Sequence, residues 1–200
     1  MKTCSKKNIM EVGLDEVARG CMFGRVYTAA VIWPEDFVED PDFIIKDSKK
    51  LSKKKREELY YYIIDNAIDW NVNYIEPETI DKINILQATL KSMHVNLDSL
   101  MVNIDHILVD GTNFNKYSNI PYTCVEKGDN KYYSIAAASI LAKVEHDWYI
   151  EELCKKNPEL NEKYDLLNNM GYGTKKHMES IKKYGTTEFH RKSFGICKFY

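Results

Sequence analysis

Two stretches near the start of the chain, Ile9 to Leu14 and Val26 to Trp33, are rich in apolar and β-branched residues and are separated by Gly20 and Gly24. This pattern predicts two strands joined through a glycine-containing turn. Ser52 then caps a run in which Leu59, Ile63 and Ala67 fall on one helical face, and Val72 to Ile75 predicts a third strand closed by Pro77. Ile83, Leu86, Leu90, Met93 and Leu97 carry the three-and-four spacing of an amphipathic helix. His106 to Val109 and Tyr122 to Val125 are short strand-like runs, the first ending in Asp110-Gly111 and the second leading into Lys127-Gly128-Asp129. A long helix follows through Ser134, Ala138, Leu141 and Val144, and its run Ala136-Ala137-Ala138-Ser139 is small enough to lie close on a sheet. Beyond Pro158 the chain turns polar, bends at Gly171 and Gly173, and predicts one more helix from Lys175 to Tyr184.

Strands first, then strands alternating with helices, predict an α/β fold with a mixed central sheet flanked by helices. A length of 200 residues with 44% hydrophobic side chains suits one domain over 1–200, with about 158–200 as a C-terminal extension. The order also sets several strand ends side by side, and acidic residues stand at three of them. Asp15-Glu16 closes the first strand, Asp110 closes the His106 strand, and Asp129 opens the long helix.

Two divalent cations about 4 Å apart need hard carboxylate ligands from several elements, which this placement offers. Each acid also has a local explanation: a helix cap for Asp129, a turn for Asp110-Gly111, a solvated loop residue for Glu16. Neighbours on a strand point to opposite faces, so Asp15 and Glu16 share a site only if the backbone leaves its pleat there. Spacing alone leaves the two readings level. Other chemistries have less to stand on. The five histidines show no H-x-x-x-H pairing, and no G-x-S-x-G or G-x-x-x-x-G-K segment is present.

The net charge of −2 gives no argument for a nucleic-acid partner, but the distribution does. Lys46, Lys49, Lys50, Lys53, Lys54, Lys55 and Arg56 fall in one short stretch, and Lys175, Lys176, Lys182, Lys183, Arg191, Lys192 and Lys198 crowd the last quarter. Such segments are either phosphate-binding patches or solvated faces. Five scattered cysteines without a C-x-x-C pair indicate neither a disulfide framework nor a zinc site and suit a reducing, cytoplasmic or otherwise intracellular compartment. The short polar N-terminus suggests no secretion signal, and no apolar run approaches the ~20 residues of a membrane span.

At these residues the chain resembles the ribonuclease HII family, the type 2 ribonucleases H, over about Glu11 to Phe194. Five blocks in the family's order carry the resemblance: GLDEVARG (Gly13 to Gly20), DSKKLS (Asp47 to Ser52), LVDG (Leu108 to Gly111), KGDNKYYSIAAASILAKV (Lys127 to Val144), and GYGTKKH with HRKSF (Gly171 to His177, His190 to Phe194). The resemblance implies an RNase H-like fold with a C-terminal helical extension. It implies Asp15, Glu16, Asp110 and Asp129 as catalytic ligands of Mg²⁺ or Mn²⁺ at a two-ion site. It further implies in-line hydrolysis of the RNA strand of an RNA-DNA hybrid duplex, and of DNA with embedded ribonucleotides, leaving 5′-phosphate and 3′-hydroxyl ends. Substrate contacts are implied for Ala18, Arg19, Gly20, Ser48, Lys49, Lys50, Arg191 and Ser193, with Tyr172 packing on the sugar at the RNA-DNA junction. A monomer is expected. Lys53 to Arg56 are expected on the helix surface.

The chain departs from the family pattern at three places. The usual Gly-Arg-Gly, whose backbone reads the ribose 2′-hydroxyl, is Ala18-Arg19-Gly20; a Gly-Pro is Gly24-Arg25; the lysine before GYGT is Met170. An alanine keeps the N–H but adds a Cβ, which matters if the turn needs a positive φ. Ribonuclease HIII is the nearest alternative, since Val17 and Phe23-Gly24 also fit its pattern. That family's N-terminal domain is not expected here, with fourteen residues ahead of Asp15, and SIAAASILAKV also resembles HII. A hybrid-binding protein without catalysis is the alternative of another class, and four retained carboxylates beside phosphates argue against it. Phe199-Tyr200 lacks the glutamine of a sliding-clamp peptide and reads as an ordinary tail.

Overall fold

Glu11–Val17 forms β1 and Val26–Ile32 forms β2, antiparallel to each other, with Gly13 opposite Val31 and Asp15 opposite Ala29. Asp69–Ile75 (β3) pairs antiparallel with β2. His106–Asp110 (β4) pairs parallel with β1, and Tyr122–Val125 (β5) parallel with β4, so the order is β3-β2-β1-β4-β5. Seven helices surround this mixed sheet: α1 (Lys53–Asn66), α2 (Pro77–Ile83), α3 (Ile85–Asp98), α4 (Tyr133–Lys156), α5 (Pro158–Tyr164), α6 (Leu166–Asn169) and α7 (Lys175–Tyr184). The computed structural model describes residues 1–200. No helix is long and apolar enough to cross a membrane.

The pleat sorts the core into two layers. Val12, Leu14, Ala30, Ile32, Ile107 and Val109 pack against Leu90, Met93 and Leu97 of α3. On the other face Ala29 and Val31 meet Ala136, Ala137 and Ile140 of α4, with Leu59 and Ile63 of α1 in the same layer. Each fully buried aliphatic side chain contributes about 1.5–3 kcal/mol, so these two layers hold the sheet between its helices. The approach of α4 is close enough that a Cβ on Gly13 would stand 2.5 Å from Ile135 N, a contact only glycine avoids. The small run 136–139 therefore does what its side-chain sizes suggest: it brings α4, and Ser139 with it, over the end of β1.

Several expectations change in detail. Pro77 does not merely end a strand; it is the first residue of α2, where its missing N–H leaves no helical bond unmade. The amphipathic run from Ile83 is split at Asn84, whose φ of 66° ends α2 and whose side chain caps α3 by accepting from Gln87 N. Asp129 does not open α4. It sits in a 3-10 turn over Gly128–Asn130, three residues ahead of the helix. The region after Pro158 folds into α5, α6 and α7 around their own core of Phe23, Ile150, Leu160, Tyr164, Leu166 and Ile181.

Candidate active site

Asp15 and Glu16 lie inside β1, not beyond it, paired to Ala29 and Thr28 of β2. The ladder to β4, however, stops at Leu14 and Val109. From Asp15 onward one edge of β1 is unpaired, and this opening is what lets consecutive strand residues face one cavity. Asp110, the last residue of β4, and Asp129, in the turn after β5, complete the rim. The cavity measures about 240 Å³ and is also lined by Val17, Ala18, Arg19, Gly20, Ser48, Lys49, Ser139, Lys143 and Tyr172.

The four acids are held differently. Asp15 is only 5% exposed and accepts from Glu16 N at 2.7 Å. Burial first, then repulsion from Glu16 and Asp110, raises its carboxyl well above the ordinary range. Burial raises Glu16 too, tempered by Arg19, whose Nη1 donates to Glu16 Oε1 at 3.2 Å. Asp110 accepts from Gly128 N at 2.6 Å and is again raised by burial, with Asp129 repelling it. Asp129 accepts from Asn130 Nδ2 at 2.8 Å. Buried carboxylates that repel one another concentrate negative charge, and a divalent cation is the ligand that offsets it. No three acidic side chains close to the spacing of a metal cage.

The opposite wall is polar and basic. Ser48 is buried and shares a 3.0 Å hydrogen bond with Ser139, one turn ahead of Lys143 on α4. Lys143 donates to Asp147 at 2.7 Å, and Asp147 also takes Arg56 at 3.4 Å. Against the effect of burial, hydrogen bonds from His146 and Lys143 hold Asp147 below its usual range. Arg56 further donates to Leu51 O at 2.6 Å and Ser48 O at 3.2 Å. With the Ser48–Ser139 bond it fastens the Asp47–Ser52 loop to α4, and is not a surface residue of α1 as expected. Sequence reasoning missed Lys143 and Ser139 as cavity residues. Both stand in the block ending SILAKV, four residues apart, so they share a helix face.

Ten of the thirteen expected site residues line the cavity and three do not. Lys50 turns to Asn130 Oδ1 at 2.9 Å and Asp47 at 3.4 Å. Ser193 donates its N–H to Asp81 of α2 at 2.8 Å. Arg191, expected to touch substrate, is fully buried with every guanidinium nitrogen committed to backbone carbonyls. Ala18 has a φ of 70°, the left-handed region that favours glycine, so the alanine stands where the Cβ matters most. Tyr172 is 42% exposed, while its carbonyl is held by His177 Nδ1 at 3.0 Å and Thr174 N at 2.8 Å. A larger cleft of about 820 Å³ lies over Arg25, Tyr27, Trp148 and Tyr149. Arg25 there is paired with Glu76, Glu151 with Lys53 and Lys156 with Glu152, and the cleft gathers no cluster of buried carboxylates like that of the smaller cavity.

The family model for Ribonuclease HII matches residues 12–197. The Ribonuclease HII of Bacteroides thetaiotaomicron is 47% identical over 190 residues, covering 95% of this chain and 92% of that protein. The crystal structure of the ribonuclease H2 from Pyrococcus horikoshii superposes with a TM-score of 0.76 at 28% identity, covering 95% of this chain and 96% of that one. Bst-RNase HIII in complex with Mn²⁺ shares the fold alone, with a TM-score of 0.71 at 17% identity over 95% of this chain and 68% of that one. The match runs through all the elements that build the cavity. The chain belongs to the ribonuclease HII family of divalent-metal-dependent endonucleases that cut the RNA strand of RNA-DNA hybrids.

Proposed function

We propose that Asp15, Glu16, Asp110 and Asp129 together hold two divalent cations, Mg²⁺ or Mn²⁺, and that the chain uses them to hydrolyse RNA phosphodiesters in hybrids and at ribonucleotides embedded in DNA. The observation that carries this reading is the convergence of four acids from three separate elements on one cavity whose other wall holds Ser48, Lys49, Ser139 and Lys143. A binder would gain nothing from burying repelling carboxylates beside phosphates. The ions, when bound, supply activation of water and stabilisation of the leaving oxygen. The hydrolysis joins the water oxygen to phosphorus and breaks the bond to the 3′ oxygen, leaving 5′-phosphate and 3′-hydroxyl ends.

The chain's own groups orient the substrate. Lys49 and Lys143 face the phosphates, and Asp147 fixes where the Lys143 ammonium sits. Tyr172 presents its ring to the sugar at the junction. Ala18-Arg19-Gly20 meet the ribose, where a 2′-hydroxyl distinguishes RNA from DNA. The protein acts as a monomer on hybrid duplex and ribonucleotide-containing DNA, inside a reducing compartment that suits its five free cysteines.

Asp15→Asn tests this most directly. Cleavage of a labelled hybrid in Mg²⁺ is expected to fall by at least about a thousandfold, roughly 4 kcal/mol of transition-state stabilisation, with hybrid binding retained. Mn²⁺ should raise the melting temperature of the wild type and not of the variant. Activity of the variant within about tenfold of the wild type rules the ligand set out.

A further inference from the structure

Arg191 heads the fully buried side chains of the molecule by volume, yet its guanidinium takes no carboxylate partner. The nearby acid, Asp81, is engaged by Lys192 N and Ser193 N, each at 2.8 Å. Arg191 instead donates to four main-chain oxygens of one loop. Its Nε reaches Gly24 O at 2.8 Å, Nη1 reaches Ala18 O at 2.8 Å and Arg19 O at 3.1 Å, and Nη2 reaches Arg25 O at 2.8 Å. The Phe194 ring lies 5.2 Å from its Cζ. A buried cation balanced only by carbonyls is an expensive way to hold a chain together. What it achieves is shape, because a rigid planar fork fixes four oxygens relative to one another.

The shape has a consequence on the opposite side of the same peptide groups. In a planar trans peptide the C=O and the following N–H point in opposite directions. Holding Ala18 O and Arg19 O on the guanidinium therefore turns Arg19 N–H and Gly20 N–H away from Arg191. Those two N–H groups, and that of Ala18, donate to no main-chain acceptor in the protein. The three residues line the cavity together with Tyr172. The φ of 70° at Ala18 is the strained step that this arrangement requires. At the far end of the loop Gly24 O and Arg25 O are tied to the same side chain where β2 begins, so the loop cannot relax by sliding along its strands.

We propose that Arg191 is a positioning residue for ribonucleotide recognition: by holding the carbonyls of Ala18 and Arg19 it presents the N–H groups of Arg19 and Gly20 as a preformed pair of donors for the ribose 2′-oxygen. This rests on the reading that the loop meets the ribose. The contact is made through the loop, since the buried guanidinium touches no substrate. Lysine keeps the charge but offers its donors from one point, so it reaches one end of the loop and leaves the other free.

The test is binding in Ca²⁺ by fluorescence anisotropy, comparing a duplex with one embedded ribonucleotide against the all-DNA duplex of the same sequence. Arg191→Lys is expected to lose about tenfold or more of the wild-type preference for the ribonucleotide, equal to about 1.4 kcal/mol. Its affinity for all-DNA duplex should stay within about twofold of wild type. A merely structural role would weaken both duplexes alike, and an unchanged preference in the variant overturns the proposal. A wild type that binds both duplexes equally overturns the reading of the loop itself. If circular dichroism shows Arg191→Lys unfolded, the Arg191 Nε–H resonance of the ¹⁵N-labelled wild type decides. It should shift with the ribonucleotide duplex and not with all-DNA duplex; identical shifts count against Arg191.

Discussion

The cavity has two halves built on different principles. The acidic half is carried by the sheet: Asp15 and Glu16 on β1, Asp110 on β4 and Asp129 in the turn after β5, with α4 packed directly behind Gly13. The half proposed to read the sugar hangs from the C-terminal extension. His177 Nδ1 holds Tyr172 O at 3.0 Å, His190 sits 3.2 Å from His177 Nε2, and the adjacent Arg191 holds the Ala18–Arg25 loop. Burial of charge serves the first half, since a cation relieves it. The second half is built from neutral rings and one cation buried on carbonyls. On the proposed reading, cutting and discriminating rest on separate parts of the chain, and a change in one should leave the other measurable.

Acid should break the second half first. Thr187 N donates to His190 Nδ1 at 3.0 Å, and His177 donates from Nδ1, so the bond between their Nε2 atoms needs both rings neutral. Burial, then the neighbouring His177, pushes His190 down to about 3, and burial lowers His177 as well. Above the unfolded value of about 6.5 neither ring is charged in either state. As pH falls from there toward 3, the unfolded chain takes up protons that the folded chain refuses, so stability falls over that window. The melting temperature of the wild type should drop between pH 7 and pH 4, and His190→Asn should flatten about half of that drop. The same pH slope in His190→Asn would show that the pair does not govern the extension.

The basic wall gives a smaller and sharper comparison. Lys49 lines the cavity, whereas Lys50 is turned to Asn130 and Asp47. Lys49→Gln should reduce the slope of log affinity against log salt for any duplex by about 0.9, the value of one phosphate contact, and Lys50→Gln by much less. A slope unchanged from wild type in Lys49→Gln would return that lysine to the solvated face.

Ala18→Gly should have the smallest effect and the most local one. A non-glycine residue in the left-handed region costs on the order of 1 kcal/mol, so glycine should relax the loop. Cleavage at a single embedded ribonucleotide is expected to rise severalfold, with less change on a continuous RNA tract, where several registers can be tried. Equal changes on both substrates would mean that the alanine is neutral for recognition.

Much of this site was legible in order along the chain. Apolar, β-branched runs located β1 and β2, which the fold buries on both faces, and three-to-four spacing located α1 and α3, because burial on one helical face imposes that period. Of the acids expected at element ends only Asp110 stands at one; Asp15 and Glu16 lie inside β1, and Asp129 lies in the turn ahead of α4. Asn84 was not legible as a break: a positive φ at an asparagine between two apolar turns leaves no mark in the periodicity. Helices α5 and α6 were missed because each is seven residues or fewer, too short for a repeating face. Lys143 was hidden inside an apolar helix, and only its spacing from Ser139 marked it.

The amino-acid sequence by itself determined which residue types are available and where the strands and helices lie, since those follow from local propensity and from which positions must leave water. It also determined that residue 18 carries a Cβ. Whether that Cβ stands at positive φ was decided by tertiary structure, through Arg191 arriving from the far end of the chain. Tertiary structure likewise decided that Asp15 and Glu16 share a cavity, because the shorter pairing of β4 leaves β1 with a free edge there. A charged residue near the C-terminus reads as surface in a sequence. Only the fold can surround it with carbonyls, because a buried charge is tolerated only where distant segments converge to satisfy it.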